Sequence, residues 1–428
     1  MKGEVNVSDK QIFAAIELSD QEVRLVVGEF FNARMNILGV ENVKCDGVTY
    51  SAVTNKDTVV SSIQKAKASL SKKLSVDIKR VILAIPSYHM KRFGFKSTVD
   101  IDGIDGTVTI QDIRNAIKKA DEINIDKRLL LIQTTPVKYT VNGISARRMP
   151  IGDRCSQITV DMDLLCADRQ LTYDYVSCIE SAGLEVMDIF LDIYAIGKEA
   201  ALFEQSIDQQ VIVLKVERDA TTLGLLKQGR YVSSAILGAG VGGLASDLTN
   251  QYGMSSLMSV ESFKYHARLN QDKCSSNPVQ LWQDDTETRT ISEQELVDTV
   301  KKNINLWLDA LEKTCVPILQ AGDSTVIITG EGGEAEGLDA LVKQRLGVEA
   351  KSYIPETLGG RYAGFTTALG LLYAYKDKLP ISGSELESID INAFNKTVNA
   401  RNKKNRANKE DTLTNKFRSL FSDGKKNS

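Results

Sequence analysis

The chain has 428 residues, of which 42% are hydrophobic and 25% are charged, and its net charge is −3. The length predicts two to four domains, while the lack of any run near the roughly 20 apolar residues that span a bilayer, and of an apolar signal segment, disfavours membrane-spanning and secreted classes. Six scattered cysteines without a CxxC pair are typical of reduced cytosolic thiols, and two histidines leave little material for a zinc site or a His-based triad.

Three closely spaced apolar runs near the N-terminus predict a β-meander. They are Ile12–Glu17, Glu22–Phe31 and Met35–Val43. An amphipathic helix follows from about Asp57, and Arg80–Ile85 has the composition of a buried strand. We assign residues 1–85 to the first part of an α/β domain.

Residues 86–163 carry their own pattern of short strands and a helix. The predicted elements are a strand at Thr107–Thr109, a helix near Ile110–Ile123, and strands at Leu129–Ile132 and Val137–Val141. This pattern predicts a small inserted α+β subdomain, although the segment could also be an elaboration of the first domain. The first domain then continues over residues 164–205.

The second half repeats the order of the first. Three strands are predicted at Val211–Val216, Thr221–Leu226 and Tyr231–Leu237, and Val326–Thr329 predicts a further buried strand. A three-strand meander, helices and a strand, used twice, indicate a duplicated α/β fold with its ligand cleft between the halves. The second domain is assigned to 206–360, and the last helix of the first domain to 361–381.

Between the second meander and its last strand we expect a small helical subdomain, at about 240–305. Helices are predicted around Val241–Tyr252 and Val260–Leu269. A long helix opens at Ser292, because Glu295 completes a capping box. Its apolar stripe consists of Leu296, Val300, Ile304, Trp307, Leu308 and Leu311.

The composition changes from Ser382, where apolar residues become sparse. From Lys396 onward there are ten Lys/Arg and three Asp/Glu, a balance of +7, so the rest of the chain carries about −10. Residues 382–411 are predicted to be a disordered basic linker. A basic tail on an acidic body indicates a polyanionic partner, either nucleic acid or an anionic membrane surface.

The end of the chain predicts an amphipathic helix over 412–423. Its apolar face consists of Leu413, Phe417, Leu420 and Phe421, and Lys416 and Arg418 flank that face. Cations beside a bulky apolar face suit a helix that lies in a membrane interface. The alternative is that this helix docks on its own body. Nucleic acid is disfavoured because the basic run NKKNRANK has no aromatic residue for stacking.

Several segments, taken in order, resemble FtsA, the actin-related family of cell-division proteins. They are LVVGEFFNARMNILGVENV, RVILAIPSYHM, SCIESAGLEVMDIFLDIYAIGKEA, TGEGGEAEGLDALVKQRLGVEAK and RYAGFTTALGLLYA. The family also ends in a polar linker and an amphipathic membrane helix. The resemblance covers nearly the whole chain.

The resemblance implies a duplicated actin-like fold with an inserted SHS2-type subdomain and a C-terminal amphipathic helix. It implies a peripheral protein on the cytoplasmic face of the cell membrane at the division site. Its partners would be an anionic membrane surface, other copies of itself, other division proteins, and the acidic tail of the tubulin-like protein FtsZ. The tail would contact Arg289, Lys301 and Lys302, which otherwise are solvated surface charges.

The family also implies ATP and Mg²⁺ in the cleft, where this sequence departs from the pattern. Glu17 keeps an acidic position in the first phosphate turn, but Ser19 stands where a glycine is usual. In the second turn, Lys215 stands at the carboxylate position, and Glu217, Arg218 and Asp219 replace glycines. The adenosine loop keeps Gly330, Gly332 and Gly333, with Glu331 interrupting a glycine pair.

Side chains at positions where backbone approaches phosphate obstruct the ligand, so efficient ATP hydrolysis is not expected. Two interpretations remain: altered nucleotide binding with Lys215 supplying the metal's charge, or a cleft closed without nucleotide. Two other functions compete with division. One is a pilus-assembly scaffold of the PilM type, and the other is an ATPase of the same superfold, such as a sugar kinase or chaperone.

Overall fold

The computed structural model describes residues 10–410 apart from 33, 102–104, 272, 285–286 and 385, and for 401–410 it describes the backbone only. The first domain is built on a five-stranded sheet in the order β11-β6-β1-β2-β3. Its first elements are β1 (Gln11–Ser19), β2 (Glu22–Phe31), β3 (Arg34–Lys44), the short pair β4 (Val48–Thr49) and β5 (Ala52–Val53), α1 (Lys56–Leu74) and β6 (Arg80–Ile85).

The first three strands form the predicted antiparallel meander, and β6 runs parallel to β1. Almost every residue of β1 is buried, because the strand lies between two neighbours and has helices on both faces. α1 covers β2 and β3 on one face. Asn55 caps this helix by accepting a hydrogen bond from the Thr58 amide.

The insert forms a separate four-stranded sheet in the order β7-β10-β8-β9 with one helix and its own core. Its elements are β7 (Lys91–Asp100), α2 (Ile110–Lys118), a 3-10 turn (Lys119–Glu122), β8 (Leu129–Val141), β9 (Ile144–Ala146) and β10 (Gln157–Asp168).

Two details of the insert differ from the prediction. Thr107 forms only an isolated bridge to Arg154, and Thr109 caps α2 through a capping box with Asp112, so no strand forms there. The two strands predicted around Pro136 are the single strand β8. The register of β8 against β10 shifts between Pro136 and Lys138, and this irregularity accommodates the proline within the strand.

The chain returns to the first domain through α3 (Arg169–Ser181), β11 (Glu185–Leu191), α4 (Asp192–Glu199) and α5 (Leu202–Gln205). The second domain repeats the topology, with the sheet order β14-β13-β12-β17-β18. Its strands are β12 (Gln210–Val216), β13 (Thr221–Lys227), β14 (Arg230–Leu237), β17 (Ser324–Thr329) and β18 (Glu349–Ser352). As in the first domain, an antiparallel meander continues into parallel strands.

Between β14 and β17 the chain forms the small subdomain. It contains α6 (Val241–Leu244), α7 (Ser246–Tyr252), α8 (Ser256–His266), the hairpin β15 (Pro278–Asp284) and β16 (Glu287–Ser292), and the long helix α9 (Glu293–Leu319). The capping box of Ser292 and Glu295 is present, and the predicted apolar stripe of α9 is buried. The β15–β16 hairpin was not predicted.

The remaining elements are two 3-10 turns (Glu331–Glu334 and Ala363–Phe365), α10 (Leu338–Leu346), α11 (Thr366–Ser382) and α12 (Ile391–Glu410). α11 is the predicted last helix of the first domain, and it packs on α4 and β1. Within the described part of the chain, no helix combines the length and the hydropathy that crossing a membrane requires.

The prediction of a disordered linker over 382–411 is wrong for much of its length, because α12 spans Ile391–Glu410. The apolar residues Ile389 and Phe394 are buried against the first domain. Ser388 connects the segment to β1, since its hydroxyl accepts a hydrogen bond from the Ala14 amide (2.6 Å). A few apolar residues in a polar segment were enough to fix its start. The predicted helix over 412–423 lies outside the described residues.

Candidate functional site

The turn after β1 and the turn after β12 meet directly at the cleft between the two domains. The Ser19 hydroxyl donates a hydrogen bond to Glu217 Oε2 at 2.7 Å. The Gln21 side-chain amide donates to Asp219 Oδ1 at 3.2 Å, and the Asp219 amide donates to Asp20 Oδ2 at 3.3 Å. The two turns that would have to flank phosphates are therefore bonded to each other.

Arg24 and Glu217 form the centre of this contact. Arg24 lies on β2 and is fully buried. Its Nη1 and Nη2 donate to the two carboxylate oxygens of Glu217 at 2.9 and 2.8 Å, a bidentate pair. Glu22 (2.9 Å) and Glu17 (3.3 Å) accept further bonds from the same guanidinium. Burial by itself raises the pKa of Glu217, but the attraction of Arg24 and Lys215 outweighs burial and holds that pKa below its ordinary value.

Lys215 lies between two carboxylates of the first domain. Its Nζ is 2.6 Å from Glu17 Oε1 and 2.9 Å from Asp192 Oδ2, and only 6% of the residue is exposed. The other oxygen of Asp192 accepts hydrogen bonds from the Ser87 and Ile193 amides. Burial lowers the pKa of Lys215, but the carboxylates raise it further, so the ammonium stays protonated. A fixed cation thus occupies the position between the acids.

On the adenosine side of the cleft, Glu331 and Arg218 form a second buried pair. The Arg218 Nε donates to Glu331 Oε2 at 2.8 Å, and Lys264 Nζ lies 3.5 Å from Glu331 Oε1. All three residues are at most 6% exposed. Arg218 lies in the turn that the FtsA resemblance expects to be glycine-rich, and Glu331 interrupts the glycine pair of the adenosine loop. The two complementary side chains pair where these loops approach each other.

The glycines that remain in the cleft pack against the chain itself. A Cβ on Gly330, whose φ is +82°, would lie 2.8 Å from the Val216 carbonyl oxygen and 3.0 Å from Glu217 Oε1. A Cβ on Gly240 would lie 2.1 Å from the Glu217 carbonyl oxygen. These glycines are required by the close approach of the Val216–Ala220 turn. The residues of the cleft therefore do not fit Mg-ATP, because side chains and backbone of the protein fill the space around both phosphate turns.

Asp20 is the least compensated carboxyl group of the first turn. Burial raises its pKa to about 6, with the negative charges of Glu217 and Asp219 adding to the shift and the hydrogen bond from the Ser51 amide opposing it. The cleft therefore holds one acid that can take up a proton near neutral pH.

The structure brings together all the predicted cleft residues, Glu17, Ser19 and Lys215 on one side and Gly330, Gly332 and Gly333 on the other. Sequence reasoning missed Arg24, Asp192 and Lys264. Arg24 had one detectable signal, since a charged residue within the apolar strand EVRLVV requires a buried partner.

The predicted tail-binding cations lie on the small subdomain. Arg289, on β16, forms an ion pair with Asp284 at 2.8 Å. Lys301 and Lys302 are exposed on α9, and within the described residues neither forms an ion pair. The predicted membrane-binding residues, Leu413, Lys416, Phe417, Arg418, Leu420 and Phe421, lie outside the part of the chain that the structure describes.

The insert is the region that a known family matches by sequence. The family described as the SHS2 domain inserted in FtsA matches residues 88–166, which contain the sheet of the insert except for the last two residues of β10. The body of the chain is similar to FtsA of Bacillus subtilis (strain 168), with 19% identity over 86% of this chain and 84% of the relative. FtsA of Neisseria meningitidis is 23% identical over 85% of this chain and 90% of the relative.

Among solved structures, the PilM–PilN complex of type IV pilus biogenesis shares the fold, with a TM-score of 0.57 and 13% identity over 84% of this chain and 97% of that one. This likeness shows the fold alone. The similarity to FtsA is also detected in the sequence, over most of the chain, and the insert matches a family model of its own. The chain is therefore similar to the cell-division protein FtsA over most of its length, and it has an actin-like fold with an SHS2-type insert.

Proposed function

We propose that this protein is a scaffold of the division site that links FtsZ to the cytoplasmic face of the cell membrane and assembles with itself. The observation that carries the proposal is the similarity to FtsA along most of the chain together with the SHS2 insert. The insert would take part in self-association, and the terminal segment would hold the membrane.

The membrane contact is expected to be weak for one copy. Two Phe and two Leu, partly buried in the interface, contribute on the order of 4–8 kcal/mol before the cost of folding the helix. Each neighbouring Lys or Arg adds roughly 1 kcal/mol on an anionic leaflet. Assembled copies would bind firmly through their effective concentration.

Co-sedimentation with anionic liposomes tests the membrane contact. We expect the full chain to sediment, and the chain without 412–428 to stay in solution. The matched control is Asn415→Ala/Ser419→Ala, which changes the polar face of the same helix and should leave sedimentation intact. Equal sedimentation of the full and shortened chains would refute the membrane contact.

The FtsZ contact is tested with a fluorescent peptide of the acidic FtsZ tail. Reversing Lys301 and Lys302 to Glu should weaken binding about 2- to 5-fold per residue, since exposed ion pairs contribute about 0.2–1 kcal/mol. Lys343→Glu, on the exposed face of α10, is the control and should leave the affinity unchanged. Unchanged affinity of the Lys301/Lys302 variant would place the tail elsewhere.

We also propose that the chain is not an efficient ATPase, because side chains fill both phosphate turns. This disfavours the ATPase alternative. The PilM-type alternative is supported by the fold likeness alone. A pull-down comparing an FtsZ tail peptide with a PilN peptide separates the two scaffold functions, and binding of the PilN peptide alone would favour the second.

A further inference from the structure

We infer that Glu217 and Lys215 are built-in substitutes for a phosphate and its metal ion, so that the protein's own side chains hold the two halves closed. The inference rests on the geometry of the cleft and does not depend on the role in division.

Glu217 takes the place of an anion between the two turns. It extends from the second domain, and its carboxylate accepts hydrogen bonds from Ser19 and Arg24, which belong to the first domain. A phosphate between two turns is held in the same manner, by donors that converge on its oxygens. Here the anion is covalently attached to one of the two domains.

Lys215 takes the place of the cation. Its ammonium bridges Glu17 and Asp192, which come from different segments of the first domain. A metal ion in such a site neutralises acids that would otherwise repel each other. The ammonium does this with one charge, and because it lies on β12 it also ties the second sheet to the first.

Arg218 and Glu331 extend the same principle to the adenosine side. They lie in two loops that the FtsA resemblance expects to be glycine-rich, and they pair with each other inside the second domain, with Lys264 beside them. Arg218 and Glu331 are therefore complementary in charge, as Glu217 and Arg24 are on the phosphate side. Together they leave a cleft whose closure needs no ligand, so assembly that depends on closure would proceed without nucleotide.

A charge-balanced variant tests the inference. Lys215→Met/Glu217→Gln removes one cation and one anion and nearly keeps the side-chain sizes. We expect it to lower the Tm by on the order of 5–10 °C and to increase the radius of gyration in solution scattering, as the halves separate. The matched control is Lys343→Met/Glu349→Gln, which removes an exposed pair of the same domain and should shift the Tm by less than about 1 °C.

Two results would overturn the inference. One is a Lys215→Met/Glu217→Gln variant with the Tm and radius of gyration of the native sequence. The other is a rise of several degrees in the Tm of the native sequence with millimolar Mg-ATP, for which we expect a shift below about 1 °C.

Ser19→Ala keeps the inference testable if the double variant does not fold, because it removes only one donor to Glu217. We expect faster amide exchange on both turns at once, since each turn supports the other. Faster exchange confined to residues 17–24 would contradict the inference, because the bond between Ser19 and Glu217 would then not support the second turn.

Discussion

In the first half of the molecule, the turn after β1 presents the short side chains of Ser19 and Asp20, whereas the turn after β12 in the second half presents Glu217, Arg218 and Asp219. The strands on either side of both turns are buried and largely apolar, and the two sheets have the same topology. The buried strands therefore maintain the fold, while the turns between them can carry different side chains.

Each turn is also supported by an aromatic residue from a helix. The Tyr175 hydroxyl, from α3, donates to the Leu18 carbonyl at 3.3 Å and the Ser51 carbonyl at 3.1 Å. The Trp307 indole, from α9, donates to Thr221 Oγ1 at 3.1 Å. Both halves thus position their turns in a similar way, although only the second turn inserts long charged side chains into the cleft.

The largest expected effect comes from removing the anion of the second turn. Glu217→Ala leaves the buried Arg24 without its bidentate partner, so the free energy of unfolding should fall by about 3–5 kcal/mol in urea denaturation. Asp309→Ala, which breaks an exposed pair with Arg345, should cost about 1 kcal/mol or less. A similar loss in both variants would mean that the cleft pair is no more important than a surface pair.

The stability of the protein should depend on pH through Asp20, the acid of the first turn. The folded-state pKa of Asp20, about 6, lies above its ordinary value of 3.8, so its protonation stabilises the folded protein. That contribution is fully present below about pH 4 and is lost as the pH rises through 6. The change in the free energy of unfolding caused by Asp20→Asn should therefore be more favourable at pH 8 than at pH 4, by up to about 3 kcal/mol. Denaturation at both pH values measures the difference, and an equal effect at both would contradict the shifted pKa.

On the adenosine side, Arg218 and Glu331 should stabilise the protein by pairing with each other and not by burial alone. A double-mutant cycle with Arg218→Met and Glu331→Gln should give a coupling free energy of about 1–3 kcal/mol, because the pair is buried and in direct contact. The same cycle on the exposed pair Lys343–Glu349 should give less than about 0.5 kcal/mol. Equal couplings would show that Arg218 and Glu331 act independently.

We expect the smallest change in stability when the first turn loses the hydrogen bonds from the Tyr175 hydroxyl. Tyr175→Phe removes a buried hydroxyl donor and leaves two carbonyls without it, so the free energy of unfolding should fall by about 1 kcal/mol. Tyr173→Phe, on the exposed side of the same helix, should change it by less than about 0.5 kcal/mol. An unchanged free energy of unfolding in Tyr175→Phe would mean that this hydroxyl does not support the first turn.

Much of the fold could be predicted because apolar periodicity is a local signal. The β1–β3 meander, the stripe of α9 and its Ser292 cap all follow from neighbouring residues. β7 lacked that signal, because it is largely exposed and mixes charged and apolar residues.

The ion pairs of the cleft could not be derived from the sequence. Arg24 and Glu217 are 193 positions apart, and their pairing depends on how two domains meet. The sequence did reveal that Lys215, Glu217, Arg218 and Glu331 were unusual for phosphate turns. It did not reveal that each would find a partner of opposite charge.

The attachment of α12 has a geometrical consequence for the proposed membrane contact. A flexible chain of 20 residues would have an end-to-end distance of about 25 Å in any direction, whereas a helix of that length extends about 30 Å along one axis. Phe394 fixes the start of that axis on the first domain, and Lys10 lies 4.9 Å above its ring. Under the proposed attachment, the distance between body and bilayer and the face turned toward the bilayer would be set by the body itself. Neighbouring copies would then share one orientation at the membrane.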